Sequence, residues 1–548
     1  MNKFNKAEKP QNKKTSSKRV SSSNNSIASI QNYLQHLLEP KFWGKHVKKV
    51  NLIQTHTSWV FLTGKYAYKI KKPVFFGFLD YTTLSAREYF CKEEFRINQK
   101  LAPDIYYQVI PIFKQNSTVT LSPKKRGYEI IDYALKMREL PQKTIMTNCL
   151  KHNTVSYSVA GEIARIIANF HNESEAKPDF HKFGGPEIIK YNWDENFTQT
   201  EPFIDITISK KVFTEIRHAV ETFSTENEHI FLKRIHDQKI KQCHGDLHSR
   251  NIFISDKVYI FDCLEFNPRF AVSDVASEIG FFIMDLDFYK HKALADFFVS
   301  RYLHYTNDWE LLKALDFYKC YRAYVRGKVT SFNLNDRGIS KAEKAQAKVM
   351  AHEYFALARK YAQNLNSKPK LIMVMGLPGV GKTYLAQYLA ERIQAFHLCT
   401  DIIRKEITNT PVETHRFDGY GKGIYSREVS GQTYEEMYRR AENYLAQGKT
   451  CIIDATFSWQ KSREQGQQIA QKYQTQFYLI NCTCPEKVVL RRMKKRENEF
   501  SLSDATPEIY YKIKSNFDKV KDKKNYIEVD TSKPIKNNLN KITRRLKI

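Results

Sequence analysis

The chain has 548 residues, of which 42% are apolar and 27% charged, and its formal net charge is +29. That length predicts about three domains, and the composition is ordinary for globular protein. No apolar run approaches the roughly eighteen residues of a membrane span, the basic N-terminus lacks the apolar core of a secretory signal, and nine scattered cysteines make no disulfide framework. A reducing, cytoplasmic setting is expected, with no membrane partner. The positive charge favours polyanions or anionic nucleotides. Lys and Arg are spread along the chain rather than gathered in one stripe with aromatics, so nucleic acid is not the expected primary partner.

In chain order, residues 1–29 are Lys, Asn, Ser and Gln with almost nothing apolar, which predicts a disordered basic tail. From Ile30 the pattern becomes globular. Trp59-Val60-Phe61-Leu62 and Tyr66-Ala67-Tyr68-Lys69-Ile70, separated by Thr63-Gly64-Lys65, read as a β-hairpin. Residues 83–101 have helical spacing and stop before Pro103. Strands are expected at 105–113, 117–121 and 128–137, and helices from 156 onward. A strand-rich small region thus precedes a larger, mostly helical one. The polar stretch 363–369, closed by Pro369, reads as a linker, and the apolar run Leu371-Ile372-Met373-Val374-Met375 follows it as a fresh strand.

Two segments carry phosphate chemistry. In His244-Gly245-Asp246-Leu247-His248-Ser249-Arg250-Asn251, Asp246 and Asn251 stand at the D-x-x-x-x-N spacing of a kinase catalytic loop. A carboxylate there can take the acceptor hydroxyl's proton, and an amide five residues on can hold Mg²⁺ without adding charge. Residues 251–262 read as a hairpin ending in Asp262, a second Mg²⁺ position. Upstream, Lys69 on a strand and Glu94 on the next helix are candidates for an ATP-phosphate clamp, with Lys71, Lys72 and Glu93 as competitors. His248 is expected to orient the loop and Asp274 to brace it from the next helix. From His244 to Ser300 nine acidic residues face five basic ones, a local reversal of the chain's charge.

The pattern His-Gly-Asp-Leu-His-x-x-Asn resembles the aminoglycoside phosphotransferase and choline kinase branch of the kinase-like fold. With Tyr68-Lys69-Ile70-Lys71-Lys72-Pro73 and Phe261-Asp262-Cys263-Leu264-Glu265-Phe266, the chain resembles bacterial proteins that join an aminoglycoside phosphotransferase-like domain to a P-loop ATPase. The likeness covers about residues 30 to 360 and continues beyond. One departure stands out: Thr55-His56-Thr57-Ser58 occupies the place of a Gly-rich phosphate-covering loop.

The second segment, Gly376-Leu377-Pro378-Gly379-Val380-Gly381-Lys382-Thr383, fills the P-loop template at every fixed position and follows an apolar strand. Gly376, Gly379 and Gly381 let backbone N–H groups wrap phosphates, Lys382 reaches the β- and γ-phosphates, and Thr383 is a Mg²⁺ ligand. Asp401, after a second short strand, is the candidate base, and Arg404 a substrate contact. Asp454 closes a buried strand in a Walker-B-like place for Mg²⁺, and Arg463 on the following helix is a second substrate candidate. This half resembles the gluconate kinase, polynucleotide kinase and zeta-toxin group of small P-loop kinases, which implies Arg492 and Arg496 as lid arginines closing on ATP.

The expected architecture is therefore an α+β bilobal protein-kinase-like domain at 30–362, a linker at 363–369, and at 370–548 an α/β P-loop NTPase domain, a parallel sheet flanked by helices. The expected function is a fusion of two ATP- and Mg²⁺-dependent phosphotransferases acting on hydroxyls of small molecules. Two alternatives stand beside it: a first domain that only binds substrate or a partner, as a pseudokinase, and an ATP-gated nucleic-acid-binding module.

Overall fold

The computed structural model describes residues 33–77, 79–336, 338–416, 418–419, 421–496, 502–503, 505–521 and 523–547; the tail expected at 1–29 lies outside them. The chain forms two compact units: one runs up to Gln142 and takes in Tyr259–Ala271, and the other holds Lys143–Val258 and Val272–Ile548.

The first unit is built on six strands, β1 (Asn51–Gln54), β2 (Ser58–Leu62), β3 (Tyr66–Lys71), β4 (Tyr106–Gln115), β5 (Thr118–Thr120) and β6 (Glu129–Arg138). Their order is β1-β2-β3-β6-β4-β5 and every pairing is antiparallel. The β2–β3 hairpin turns at Gly64, whose φ of 90° suits glycine. Trp43, Phe61, Tyr68, Ile70, Ile112 and Ala134 form a core against the sheet. Helix α1 (Leu84–Leu101) starts at Thr83, whose hydroxyl accepts the Ala86 N–H, and its buried face carries Cys91, Glu94, Ile97 and Asn98.

In the second unit helix α2 (Tyr157–Glu173) precedes strand β7 (Ile240–Gln242). Short strand β8 (Ile252–Ile254) follows in the chain, then β9 (Val258–Ile260), of which Tyr259 and Ile260 belong to the first unit, and β10 (Val272–Asp274) pairs antiparallel with β7. Helix α3 (Val275–Phe288) is buried from Val275 to Asp287, so the carboxylates of Glu278, Asp285 and Asp287 must find partners inside the protein. Helices α4 (Lys292–Thr306), α5 (Leu311–Phe332) and α6 (Lys341–Leu365) complete the helical region. Gly327 lets α5 approach α6 closely, since a Cβ there would lie 2.9 Å from the Phe355 ring. Residues 363–365, expected in a linker, are the last turn of α6, because Ala, Gln and Tyr sustain the helix until Pro369 forbids it.

A parallel sheet follows, with β11 (Lys370–Met375), β12 (Phe396–Cys399), β13 (Cys451–Asp454), β14 (Gln476–Thr483) and β15 (Tyr526–Asp530) in the order β12-β13-β11-β14-β15. Helix α7 (Lys382–Ile393) packs on the face of Ile372 and Val374, and helix α10 (Gln460–Lys472) lies on the opposite face, where Gly466 meets Met373. Between them in the chain come α8 (Thr400–Ile407) and α9 (Arg427–Ala446), and α11 (Glu486–Arg496) and α12 (Ile535–Leu546) follow. The helical region and this P-loop α/β sheet belong to the same compact unit. Polar contacts tie them: Lys449 Nζ lies 2.6 Å from Asp316, Ser158 Oγ donates to Glu413 at 2.8 Å, and the His397 N–H donates to Asp296 at 3.2 Å. Among the described residues no helix is long and apolar enough to cross a membrane.

Candidate functional site

The P-loop follows β11 directly. Gly376 has φ 145°, and a Cβ on it would lie 2.6 Å from the Cys482 carbonyl oxygen, so the loop closes over β14 only with glycine there. Lys382 opens α7 and folds back, its Nζ donating to Leu377 O at 3.1 Å. Burial pushes its ammonium below the ordinary lysine range, while Asp454 and Asp401 pull it back up. Asp454 ends β13 and is 1% exposed. Burial opposes its ionisation, but His397, the Thr383 hydroxyl and Lys382 outweigh that and hold its carboxyl below the usual carboxylate range.

A cleft of ≈ 1700 Å³ brings together Gly379, Gly381, Lys382, Thr383, Asp401, Arg404 and Asp454. Residues that no motif singled out complete its walls: Arg427, Ser430 and Tyr434 from α9, and Tyr157, Lys290 and His291 from the helical region. Arg404 is 7% exposed, and its Nη1 donates to Ile424 O and Ser430 Oγ at 3.0 and 3.1 Å. Its Nε is buried and makes no hydrogen bond.

Two of the sequence candidates are spent on the scaffold. Arg463 is 5% exposed and donates to four main-chain carbonyls, those of Phe457, Ser458, Asp518 and Lys519, at 2.6 to 3.3 Å. It ties the start of α10 to the segment before β15, a role invisible to a motif because two of its four partners are backbone atoms 55 and 56 residues away. Arg492 on α11 donates to Val380 O at 3.1 Å and to Thr531 O at 2.8 Å, so it buttresses the P-loop backbone. The side chain of Arg496 lies outside the described residues.

In the His244 segment the loop turns at Gly245, φ 84°. Glu278 of α3 accepts the Gly245 N–H at 2.7 Å and the His244 N–H at 3.0 Å, and Asp285, two turns on, accepts the Ser249 N–H at 2.8 Å. These two carboxylates brace the loop. Asp274, expected in that role, instead pairs with Arg234 at 2.7 Å and caps α3 by accepting the Ala276 N–H. Asn251 Nδ2 donates to Asp246 O and Oδ2 at 3.0 and 3.1 Å, and His248 Nε2 lies 3.3 Å from Asp246 Oδ2. His248 also accepts the Arg250 N–H at Nδ1, so it orients both the loop and the carboxylate. Burial opposes the Asp246 charge, but His248, Arg326 and His244 hold its carboxyl well below the usual range. His171, Cys243 and Glu278 cluster nearby, but Glu278 already accepts from two backbone amides and meets His171 Nε2 at 2.7 Å, while His171 Nδ1 meets the Tyr302 hydroxyl; the group is a filled hydrogen-bond network rather than a metal cage.

In the first unit, Lys69 and Lys71 stand two residues apart on β3 and project to the same face. Both reach Glu94 of α1, at 2.9 and 2.8 Å. Lys69 also meets Asp262 at 2.5 Å, and Lys71 pairs with Glu265, which accepts from the Tyr81 hydroxyl as well. Asp262 sits at φ 69° and donates its backbone N–H to the Tyr106 hydroxyl. Glu93 pairs with Arg96 at the surface and takes no part, and Lys72 donates to Thr55 O. Burial works against the Glu94 charge, yet the two lysines pull its carboxyl down to about 2. Burial likewise opposes both lysine charges, and the surrounding carboxylates raise both ammonium groups well above their ordinary range.

Among curated proteins the chain is 28% identical to an uncharacterized protein of Mycobacterium tuberculosis over 461 residues, 84% of this chain and 88% of that one, and a Mycobacterium bovis counterpart matches equally. Among solved structures, a gluconokinase from Sinorhizobium meliloti 1021 is similar at 15% identity, covering 33% of this chain and 94% of its own, with TM-score 0.25. The Mycobacterium tuberculosis APS kinase in complex with AMPPNP and APS is similar at 15% identity over 33% and 99% of the two chains, also with TM-score 0.25. Residues 371–520 match the family model described as an AAA domain, a span that includes the P-loop, Asp401 and Asp454.

Proposed function

We propose that residues 370–548 transfer the γ-phosphoryl group of ATP to a hydroxyl of a small molecule, with Mg²⁺. The observation that carries this reading is a single cleft in which Lys382 and Thr383 meet Asp454, with Asp401 and Arg404 also on its wall. Backbone N–H groups at the N-terminus of α7 suit the phosphates, since the helix dipole adds positive charge there. Asp454 Oδ2 is buried without a hydrogen-bond partner, and Thr383 supplies a hydroxyl beside it, so the donor set fits a hard divalent cation. When bound, Mg²⁺ supplies neutralisation of charge on the β- and γ-phosphates. Lys382, half-buried at the start of α7, stabilises the charge that builds on the transferring group. Asp401 accepts the proton of the attacking hydroxyl as the bond from the leaving ADP oxygen to phosphorus breaks. Arg404, on the cleft wall, holds an anionic group of the acceptor. A cytoplasmic setting and small hydroxylated acceptors complete this reading.

The resemblance of the His244 segment supports a second phosphotransferase centre, with Asp246 as base and Asn251 as metal ligand. In the first unit Lys69, Glu94 and Asp262 form an ion-pair group of the kind that serves ATP and its metal. Transfer of labelled γ-phosphate from MgATP to water and to a pool of hydroxylated metabolites tests both readings. Lys382→Ala is expected to remove one set of products and Asp246→Asn another. If Lys382→Ala leaves every product unchanged, the P-loop reading falls.

A further inference from the structure

β12 is the edge strand of the parallel sheet, and its register pairs His397 with Ile452 and Cys399 with Asp454. An edge strand leaves main-chain groups without a strand partner on its outer side. Here a carboxylate of the helical region fills one of them: Asp296 of α4 accepts the His397 N–H at 3.2 Å. Asp296 is itself neutralised by Lys292, one helical turn earlier. The backbone of His397 is thus held from outside the P-loop sheet.

The side chain of His397 reaches the other way. Its Nε2 lies 3.3 Å from Asp454 Oδ2, with side-chain exposures of 4% and 2%. Neither atom makes a hydrogen bond, and the two face each other as an ion-pair contact. A buried carboxylate takes its orientation from the groups that face it, here His397 at Oδ2 together with the Thr383 hydroxyl, and second contacts of this kind orient metal-binding carboxylates generally. We infer that His397 is a positioning residue for Asp454: the imidazole Nε2–H fixes the rotation of the carboxylate toward Thr383 and Mg²⁺, and Asp296 anchors His397 from the helical region. The inference rests on the P-loop reading above and adds to it that the metal-facing carboxylate is set by a chain of contacts beginning in the preceding region.

The test uses the full chain and a fluorescent ATP analogue titrated at varied Mg²⁺, with Mn²⁺ binding followed by electron paramagnetic resonance as a second readout. His397→Phe keeps the bulk and removes the donor; His397→Gln keeps an N–H donor; His397→Asn is too short to bridge the gap. His397→Phe and His397→Asn are expected to weaken metal dependence about tenfold or more, with nucleotide binding in excess chelator unchanged. His397→Gln is expected to restore metal dependence toward that of the wild type. Melting curves identify any variant that fails to fold, and the Asn variant then stands in for Phe. If the folded Phe or Asn variant responds to Mg²⁺ and Mn²⁺ as the wild type does, the inference is overturned; so is it if Gln fails as Phe does. Lys382→Ala separates the two claims, because phosphoryl transfer that survives it unchanged overturns the P-loop reading itself.

Discussion

Replacing Glu94 with Gln removes the charge that two lysines share, and the structure sets the size of the effect. Glu94 is 1% exposed as a side chain and lies 2.9 Å from Lys69 and 2.8 Å from Lys71. Its carboxyl is held down to about 2 from an ordinary 4.5. At about 1.36 kcal/mol for each pH unit, that difference corresponds to about 3 kcal/mol of stabilisation at neutral pH. Lys69 keeps Asp262 and Lys71 keeps Glu265 in the variant, so neither charge is stranded. The loss therefore belongs at the low end of the roughly 3–5 kcal/mol seen when a buried pair is broken. Because the folded-state value is depressed, the contribution is complete above the unfolded value of 4.5 and fades as pH falls through about 2. Urea unfolding, with hydrogen exchange reporting separately on β3 and α1, measures it at neutral pH and again in acid. Glu94→Gln is expected to open β3 and α1 earlier than the wild type at neutral pH, with the gap closing in acid. Coincident unfolding at neutral pH, or a gap that persists in acid, would refute the argument.

Gly376→Ala places a Cβ 2.6 Å from a backbone oxygen at φ 145°, so it is expected to cost about 1–3 kcal/mol and weaken nucleotide binding. A variant that melts and binds the ATP analogue as the wild type does speaks against the loop geometry. Arg463→Met strands the four carbonyls that Arg463 serves, and a loss of about 2–3 kcal/mol in melting is expected. Nucleotide affinity below the melt should not change; an unaltered melt with weaker acceptor binding would return Arg463 to the substrate. Asp401→Asn is expected to slow transfer about 10²–10⁴-fold while nucleotide binding holds, and loss of both together would remove Asp401 from the role of base.

What the amino-acid order determined by itself is the chemistry that local backbone demands. Gly376, Gly379, Gly381 and Lys382 after five apolar residues announce a strand, a phosphate-wrapping turn and a helix, because positive φ and close approach can be met only by glycine at those steps. Period-two alternation marked β2 and β3, and helical spacing stopped by Pro103 marked α1. Even the preference for Glu94 over Glu93 has a local source, since Glu94 shares the helix face of Cys91, Ile97 and Asn98. Tertiary structure alone decided how the charges are spent. Arg463 and Arg492 look like free cations in the sequence and are consumed by carbonyls of distant segments. Glu278, Asp285 and His397 look like ordinary members of apolar elements, yet they brace the His244 loop or face Asp454. Periodicity reports which face of an element is buried, whereas the partner of a buried charge comes from another element, often more than a hundred residues away, and is settled only when the chain has packed.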